Sequence, residues 1–173
     1  MNQITHYSLS DYRDILFRVQ ELAITARSDY QATHEKPNSS SVPSVEDLSF
    51  IDPEEYAEER RNNPLFIFLN RLDDEQIKVV QTVMYIGRDH EVPAPSDEEW
   101  DEYYERKTED PEYDMPKPSL CVSNPDDYLS ETIELLGRGK GWQDKFIEID
   151  VIIKKMMKLP DYLSRGFQVL GIK

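Results

Sequence analysis

The chain contains very little cysteine, with Cys121 as the single cysteine among 173 residues. One cysteine forms no disulfide within the chain and offers no cluster of thiolates to a metal. This composition excludes a disulfide-stabilised secreted domain and a cysteine-rich zinc site. It is typical of a reducing compartment, and we therefore expect the protein to be cytoplasmic.

Long apolar runs are also missing. The best candidate, residues 146–157, is interrupted by two acidic residues and two lysines. A membrane-spanning helix needs about 18 or more consecutive apolar residues. The first ten residues contain no basic patch and no continuous apolar run, so they do not indicate a secretory signal. We expect no segment that crosses a membrane.

Motifs of several enzyme classes are absent. The Gly-Arg-Gly-Lys-Gly segment at 137–141 lacks the spacing and the hydroxyl residue of a phosphate-binding loop. Neither a GxSxG nucleophile elbow nor a two-histidine zinc-protease motif occurs. We therefore expect no catalytic residues, no cofactor and no metal site.

The alternative is a carboxylate- or metal-dependent enzyme built around Asp89 and His90, with Glu91 as the next residue. Acid–base or metal chemistry needs such side chains to converge in a cleft. Adjacent loop residues rarely converge, so an exposed loop histidine is the simpler interpretation. The enzyme hypothesis stays open as the second choice.

Negative charge is abundant but unevenly distributed. The chain has 35 acidic and 20 basic residues, for a formal net charge of −15. From Gly137 onward, eight basic residues stand against four acidic ones, which makes +4 for this tail and −19 for residues 1–136. Oppositely charged parts of one chain ordinarily satisfy each other first, so we expect the tail to pack on the acidic body. Segregated charge also marks interaction surfaces.

The densest acidic segment lies between residues 97 and 114. Its spacing sets carboxylates such as Asp97 and Asp101 one helical turn apart, with few basic partners nearby. Three interpretations are open: a solvated helix face, a surface for a protein partner, and a metal site that lacks the calcium-loop spacing. The candidate partner-binding residues are Asp97, Glu98, Glu99, Trp100, Asp101, Glu102 and Glu105.

A smaller basic cluster lies near the end of the chain. Lys154, Lys155 and Lys158 should form a basic face on a long helix predicted over residues 144–159. Aromatic residues that would stack on bases are not interleaved with them, and the net charge repels nucleic acid. We therefore expect a protein partner, basic or itself nucleic-acid-binding, rather than direct nucleic-acid binding. Homo-oligomerisation is a further option.

Hydrophobic periodicity predicts an all-α protein. We expect a single helical domain over residues 1–173, with six to eight helices and long polar loops. Ser8 should cap a first helix whose apolar stripe fades near Arg27. Capping residues and prolines predict further starts near residues 52, 64, 73, 96, 124 and 160, and glycines predict ends at 87, 137 and 171.

Loops and one short apolar segment complete the predicted organisation. Residues 34–47 should form a polar loop, and residues 108–124 a proline-rich acidic loop. Periodicity does not decide between strand and buried helix for Leu65–Leu69. We favour a helix, because Pro64 suits a helix start and the leucines fall on one side. In the long 144–159 helix, Phe146 and Met156 should point inward with the isoleucines.

Two sequence blocks resemble the bacterial domain-of-unknown-function family 3775. The first block is FLNRLDDEQ at 68–76 running on to YIGRD at 85–89, and the second is LPDYLSRG at 159–166 with Leu170 and Gly171. The chain departs from the family pattern after Arg88, where a second glycine is missing, and over residues 92–125, which are longer and more acidic. The resemblance implies an all-helical bacterial protein and transfers no site residue.

Overall fold

Helices form all the regular structure in the described part of the chain. The structure, a computed structural model, describes residues 5–34, 58, 61–90, 97–113, 121–139 and 141–173. Within these ranges the fold is all-α and forms a single domain, as predicted. The seven helices found there are α1 (Leu9–His34), α2 (Pro64–Arg71), α3 (Asp74–Asp89), α4 (Asp97–Glu109), α5 (Pro125–Arg138), α6 (Lys145–Lys154) and α7 (Leu159–Val169).

Local capping sets the start of α2 and α3. Asn63 accepts a hydrogen bond from the Leu65 amide at 2.9 Å, and Pro64 occupies the first turn. The helical prediction for Leu65–Leu69 is therefore confirmed. Asp73 accepts from the Gln76 amide at 2.8 Å, and the Gln76 side chain accepts from the Asp73 amide at 2.9 Å. This is the reciprocal capping box that the sequence predicts.

Helix α1 starts where predicted, but its first turn is held by another helix. The Leu9 amide donates to Asp126 Oδ1 at 2.9 Å, and the Ser8 hydroxyl donates to the same carboxylate at 3.3 Å. The Tyr7 amide donates to the Ser130 hydroxyl at 2.9 Å. Both acceptors belong to the first turns of α5. The negative carboxylate beside the positive end of α1 thus joins two helices that are distant in sequence.

The central packing is a close crossing of α3 and α7. A Cβ atom on Gly87 would lie 1.7 Å from the Tyr162 carbonyl oxygen, and one on Gly166 would lie 2.5 Å from the Val83 carbonyl oxygen. The prediction that Gly87 ends a helix is wrong, because α3 continues to Asp89. Gly87 is needed for the close approach of two backbones rather than for a helix end.

The basic segment near the chain end is not one long helix. α6 ends at Lys154, residues 155–158 form turns, and α7 begins at Leu159. The start predicted near Pro160 is thus confirmed to within one residue. The break lets α7 turn away from α6 and lie along α3 and α1, where its apolar face is buried.

The prediction that Phe146 points inward is also wrong, because its side chain is 68% exposed. Lys145 Nζ donates to the Asn70 carbonyl at 2.9 Å, and Asn63 Nδ2 lies 3.4 Å from Met156 Sδ, so α2 and α6 run antiparallel. Phe146 lies in the first turn of α6, beside this contact with α2, and its side chain still faces solvent. The isoleucines further along α6, Ile149, Ile152 and Ile153, are buried as predicted.

The predicted loops are only partly within the described residues. Helix α1 continues seven residues past Arg27 to His34, with residues 28–33 exposed, which explains why the apolar stripe stops earlier. Residues 35–47 and most of the helix predicted from Asp52 lie outside the described residues. Thr108 and Glu109 belong to α4 rather than to a loop, and residues 114–120 are not described. No described helix has the length and apolar character needed to cross a membrane.

Candidate protein-binding site

Helix α4 carries the acidic cluster and stands apart from the core. Among the other described helices, α1, α5, α6 and α7 each pack on α3, and α2 packs on α1 and α6. None of the described helices shares a substantial packing interface with α4. Its aromatic side chains do not belong to the hydrophobic core formed by the described residues. Packing in the core therefore does not account for the aromatic side chains of α4.

The predicted acidic residues lie together on α4. Asp97, Glu98, Asp101, Glu102 and Glu105 are all exposed, while the side chain of Glu99 lies outside the described part. Residues 97–113 contain nine carboxylates against two basic residues, a net charge of −7. Mutual repulsion among these carboxylates is relieved only in part within the segment, as where Glu102 pairs with Arg106 at 2.6 Å.

An aromatic face, formed by Trp100, Tyr103, Tyr104 and Tyr113, lies beside the carboxylates. Trp100 and Tyr104 are stacked, with ring centroids 5.9 Å apart, and Tyr103 meets both rings edge-on at 5.8 and 5.5 Å. Sequence reasoning selected Trp100 but missed the tyrosines. The i, i+3, i+4 spacing of 100, 103 and 104 was the signal that could have found two of them.

A turn after α4 brings Tyr113 to this face. The Tyr113 amide donates to the Asp110 carbonyl at 3.0 Å, and Lys107 Nζ donates to the Tyr113 carbonyl at 3.0 Å. The ring centroids of Tyr113 and Tyr103 are then 6.1 Å apart. Lys107 stands 5.6 Å from the Tyr103 ring centroid, and the Arg106 guanidinium 5.6 Å from that of Tyr113. Both basic residues of the segment are thus placed over aromatic rings.

The three lysines of the predicted basic face occupy different settings. Lys154 pairs with Asp150 at 2.7 Å in the last turn of α6, Lys155 caps that helix, and Lys158 lies at the end of the following turns. The single helical face expected for them is therefore not formed, because the helix stops between the first and second lysine.

Of the residues of the alternative enzyme site, Asp89 and His90 lie within the described structure. Asp89 is held by its neighbour Arg88, whose Nη2 donates to Oδ2 at 2.6 Å, and His90 follows the end of α3. Glu91 lies outside the described residues. Across the described ranges, no group of three His, Cys, Asp or Glu side chains is placed to share a metal ion.

A second polar group, Tyr7 with Glu75 and Lys78, connects the segment just before α1 to α3. The hydroxyl of the buried residue Tyr7 donates to Glu75 Oε2, and Lys78 Nζ donates to Glu75 Oε1 at 2.6 Å. Burial, followed by the hydrogen bond to Glu75, raises the pKa of Tyr7 well above its usual value. The hydrogen bonds from Lys78 and Tyr7 lower the pKa of Glu75.

This group should make stability depend on pH. A carboxyl whose pKa is lowered by folding stabilises the native state above its unfolded pKa and loses that contribution as the pH falls through the folded pKa. We expect wild type to exceed Glu75→Gln in free energy of unfolding at pH 7, and the difference to shrink below the ordinary pKa of 4.5. Urea titrations between pH 7 and pH 3 measure this difference in the free energy of unfolding. The exposed Glu131→Gln serves as control, and a pH-independent difference for Glu75→Gln would contradict the expectation.

Comparison of the chain with protein-family models, curated proteins and solved structures found no match. The resemblance to family 3775 stays a prediction. In the structure, its two blocks contribute the two sides of the α3–α7 crossing, with Gly87 in the first block and Gly166 in the second. The blocks are thus placed for folding, and neither belongs to the surface formed by α4.

Proposed function

We propose that the protein is a non-enzymatic binding or regulatory protein that engages a basic protein partner through α4 and the turn at 110–113. One observation carries the proposal. Helix α4 presents a strongly acidic surface and an aromatic face while sharing no substantial interface with the other described helices. The single cysteine is consistent with action in the cytoplasm.

Charge and aromatic area support a protein partner. A net charge of −7 within residues 97–113 attracts a cationic surface and accelerates its encounter. Tryptophan and tyrosine supply much of the binding energy at protein interfaces, because they offer large rigid contact areas. A carboxylate surface alone is explained by solvation, whereas exposed rings beside it favour a contact surface. The partner is a basic protein, including one whose cationic surface otherwise binds nucleic acid.

Charge reversal at this surface provides the test. The site variant replaces three exposed acidic residues of α4 with lysine and leaves the Glu102–Arg106 pair intact; the control reverses three exposed acidic residues on α1 and α5, so that net charge matches. The substitutions are Glu98→Lys, Asp101→Lys and Glu105→Lys for the site, and Asp14→Lys, Asp29→Lys and Glu131→Lys for the control.

Partners are captured from the native cell at low and at high salt, and their retention on each variant is quantified. We expect the site variant to lose at least about tenfold in retention at low salt, because it replaces three attractive pairs with repulsive ones. The control should behave as wild type, and high salt should weaken wild-type capture. Equal retention by the site variant and the control would disprove the proposal. Circular dichroism checks that each variant is folded.

A further inference from the structure

Among the described residues, basic side chains lie over only two of the four rings of the aromatic face. Tyr103 and Tyr113 each have a basic side chain of the same segment 5.6 Å from the ring centroid. Trp100 and Tyr104 are 40% and 62% exposed, and within the described ranges no cation lies over either ring. The two most exposed rings of the face are therefore the ones that an incoming cation reaches.

Carboxylates accompany these two rings at a spacing of one helical turn. Asp97 lies three residues before Trp100, and Asp101 lies three residues before Tyr104, so each ring has an acidic neighbour on the helix surface. The rings are stacked at an interplanar angle of 25°. The stacked pair and the two carboxylates thus lie on the same stretch of helix surface, which offers a cation both aromatic and acidic partners.

One arginine of the same segment, Arg106, already contacts a carboxylate and an aromatic ring together. Arg106 donates to Glu102 at 2.6 Å while its guanidinium lies 5.6 Å from the Tyr113 ring centroid. A planar guanidinium stacks on a ring and still directs its N–H groups at a carboxylate, whereas an ammonium acts as a hydrated point charge. This difference makes arginine the better occupant of a site that combines both groups.

We infer that Trp100 and Tyr104, with Asp97 and Asp101, bind an arginine side chain of a basic protein segment, in the way that Tyr113 and Glu102 hold Arg106. The inference rests on the proposed function and adds the chemical class of the segment that is recognised. It requires that arginine be preferred over lysine at equal charge.

Two peptides of equal length serve as probes, one of alternating arginine and glycine and one of alternating lysine and glycine. Binding to the full chain is measured by calorimetry. It is also followed by fluorescence in a Trp142→Phe background, where Trp100 is the only tryptophan left of the two. We expect the arginine peptide to bind more tightly by about two- to fivefold for each ring contacted. Its binding should also change the Trp100 emission.

Leucine replacements separate stacking of the cation from simple apolar contact. The double variant Trp100→Leu and Tyr104→Leu keeps apolar bulk and helix propensity but removes the aromatic faces. We expect it to bind the two peptides equally. The control Phe146→Leu changes an exposed aromatic residue outside α4 and should keep the arginine preference.

The outcomes distinguish this inference from the proposed function. Equal affinity of wild type for both peptides, or an arginine preference that survives the double leucine variant, overturns the arginine inference. If the α4 charge reversal still removes binding in that case, the proposed function stands. If neither peptide binds wild type at low salt, the acidic surface does not recognise basic segments, and both proposals fail.

Discussion

Replacing Gly87 with alanine should lower the free energy of unfolding by about 3 kcal/mol or more, as expected when added atoms meet a well-packed backbone. The new Cβ would lie 1.7 Å from the Tyr162 carbonyl oxygen and 2.7 Å from the Gly166 amide nitrogen. Both are backbone atoms, so no change of side-chain rotamer relieves the clash. Helices α3 and α7 would have to separate, which loosens the main helix pair of the core.

Urea unfolding followed by circular dichroism measures this effect. Gly166→Ala should be similarly destabilising, because its Cβ would lie 2.5 Å from the Val83 carbonyl oxygen. Gly137→Ala is the matched control, since its Cβ would meet only side-chain atoms, those of Trp142 at 3.2 Å, and no backbone. We expect it to change stability by no more than about 1 kcal/mol, as gained helix propensity offsets the tight contact. Similar midpoints for all three variants would show that the two backbones do not approach this closely.

Replacing Leu163 with alanine should cost about 2–5 kcal/mol, the range for truncating a buried leucine. Leu163 is fully buried in α7, which packs against α3 and α1. The truncation leaves a cavity that the tightly crossed backbones close only in part. The effect is therefore expected in the upper half of that range.

The same substitution at Leu135 provides the comparison. Leu135 is 65% exposed on α5, so we expect Leu135→Ala to change stability by less than about 0.5 kcal/mol. Chemical denaturation of both variants in parallel gives the two free energies. Equal losses at the two positions would contradict the assignment of α7 to the core and of this face of α5 to the surface.

The candidate site was only partly predictable. The carboxylates of α4 were found from composition and spacing, because both are read directly along the chain. The aromatic face was incompletely predicted, since Tyr113 reaches it through a turn held by Asp110 and Lys107. That α4 shares no substantial interface with the other described helices was not predictable at all, because Trp100 and Tyr104 have the apolar area of core residues.

The sequence by itself determined the helical class and several helix starts. The signals at Pro64, Asp73 and Pro125 act within four residues, so no distant contact is needed to form them. Tertiary structure decided which residues are buried and how closely the helices approach. Gly87 lies at the crossing of α3 and α7 rather than at a helix end, because its close neighbours are Tyr162 and Gly166, far away in sequence. Phe146 is exposed although its spacing predicted burial. Periodicity identifies an apolar side chain but not the partner that covers it.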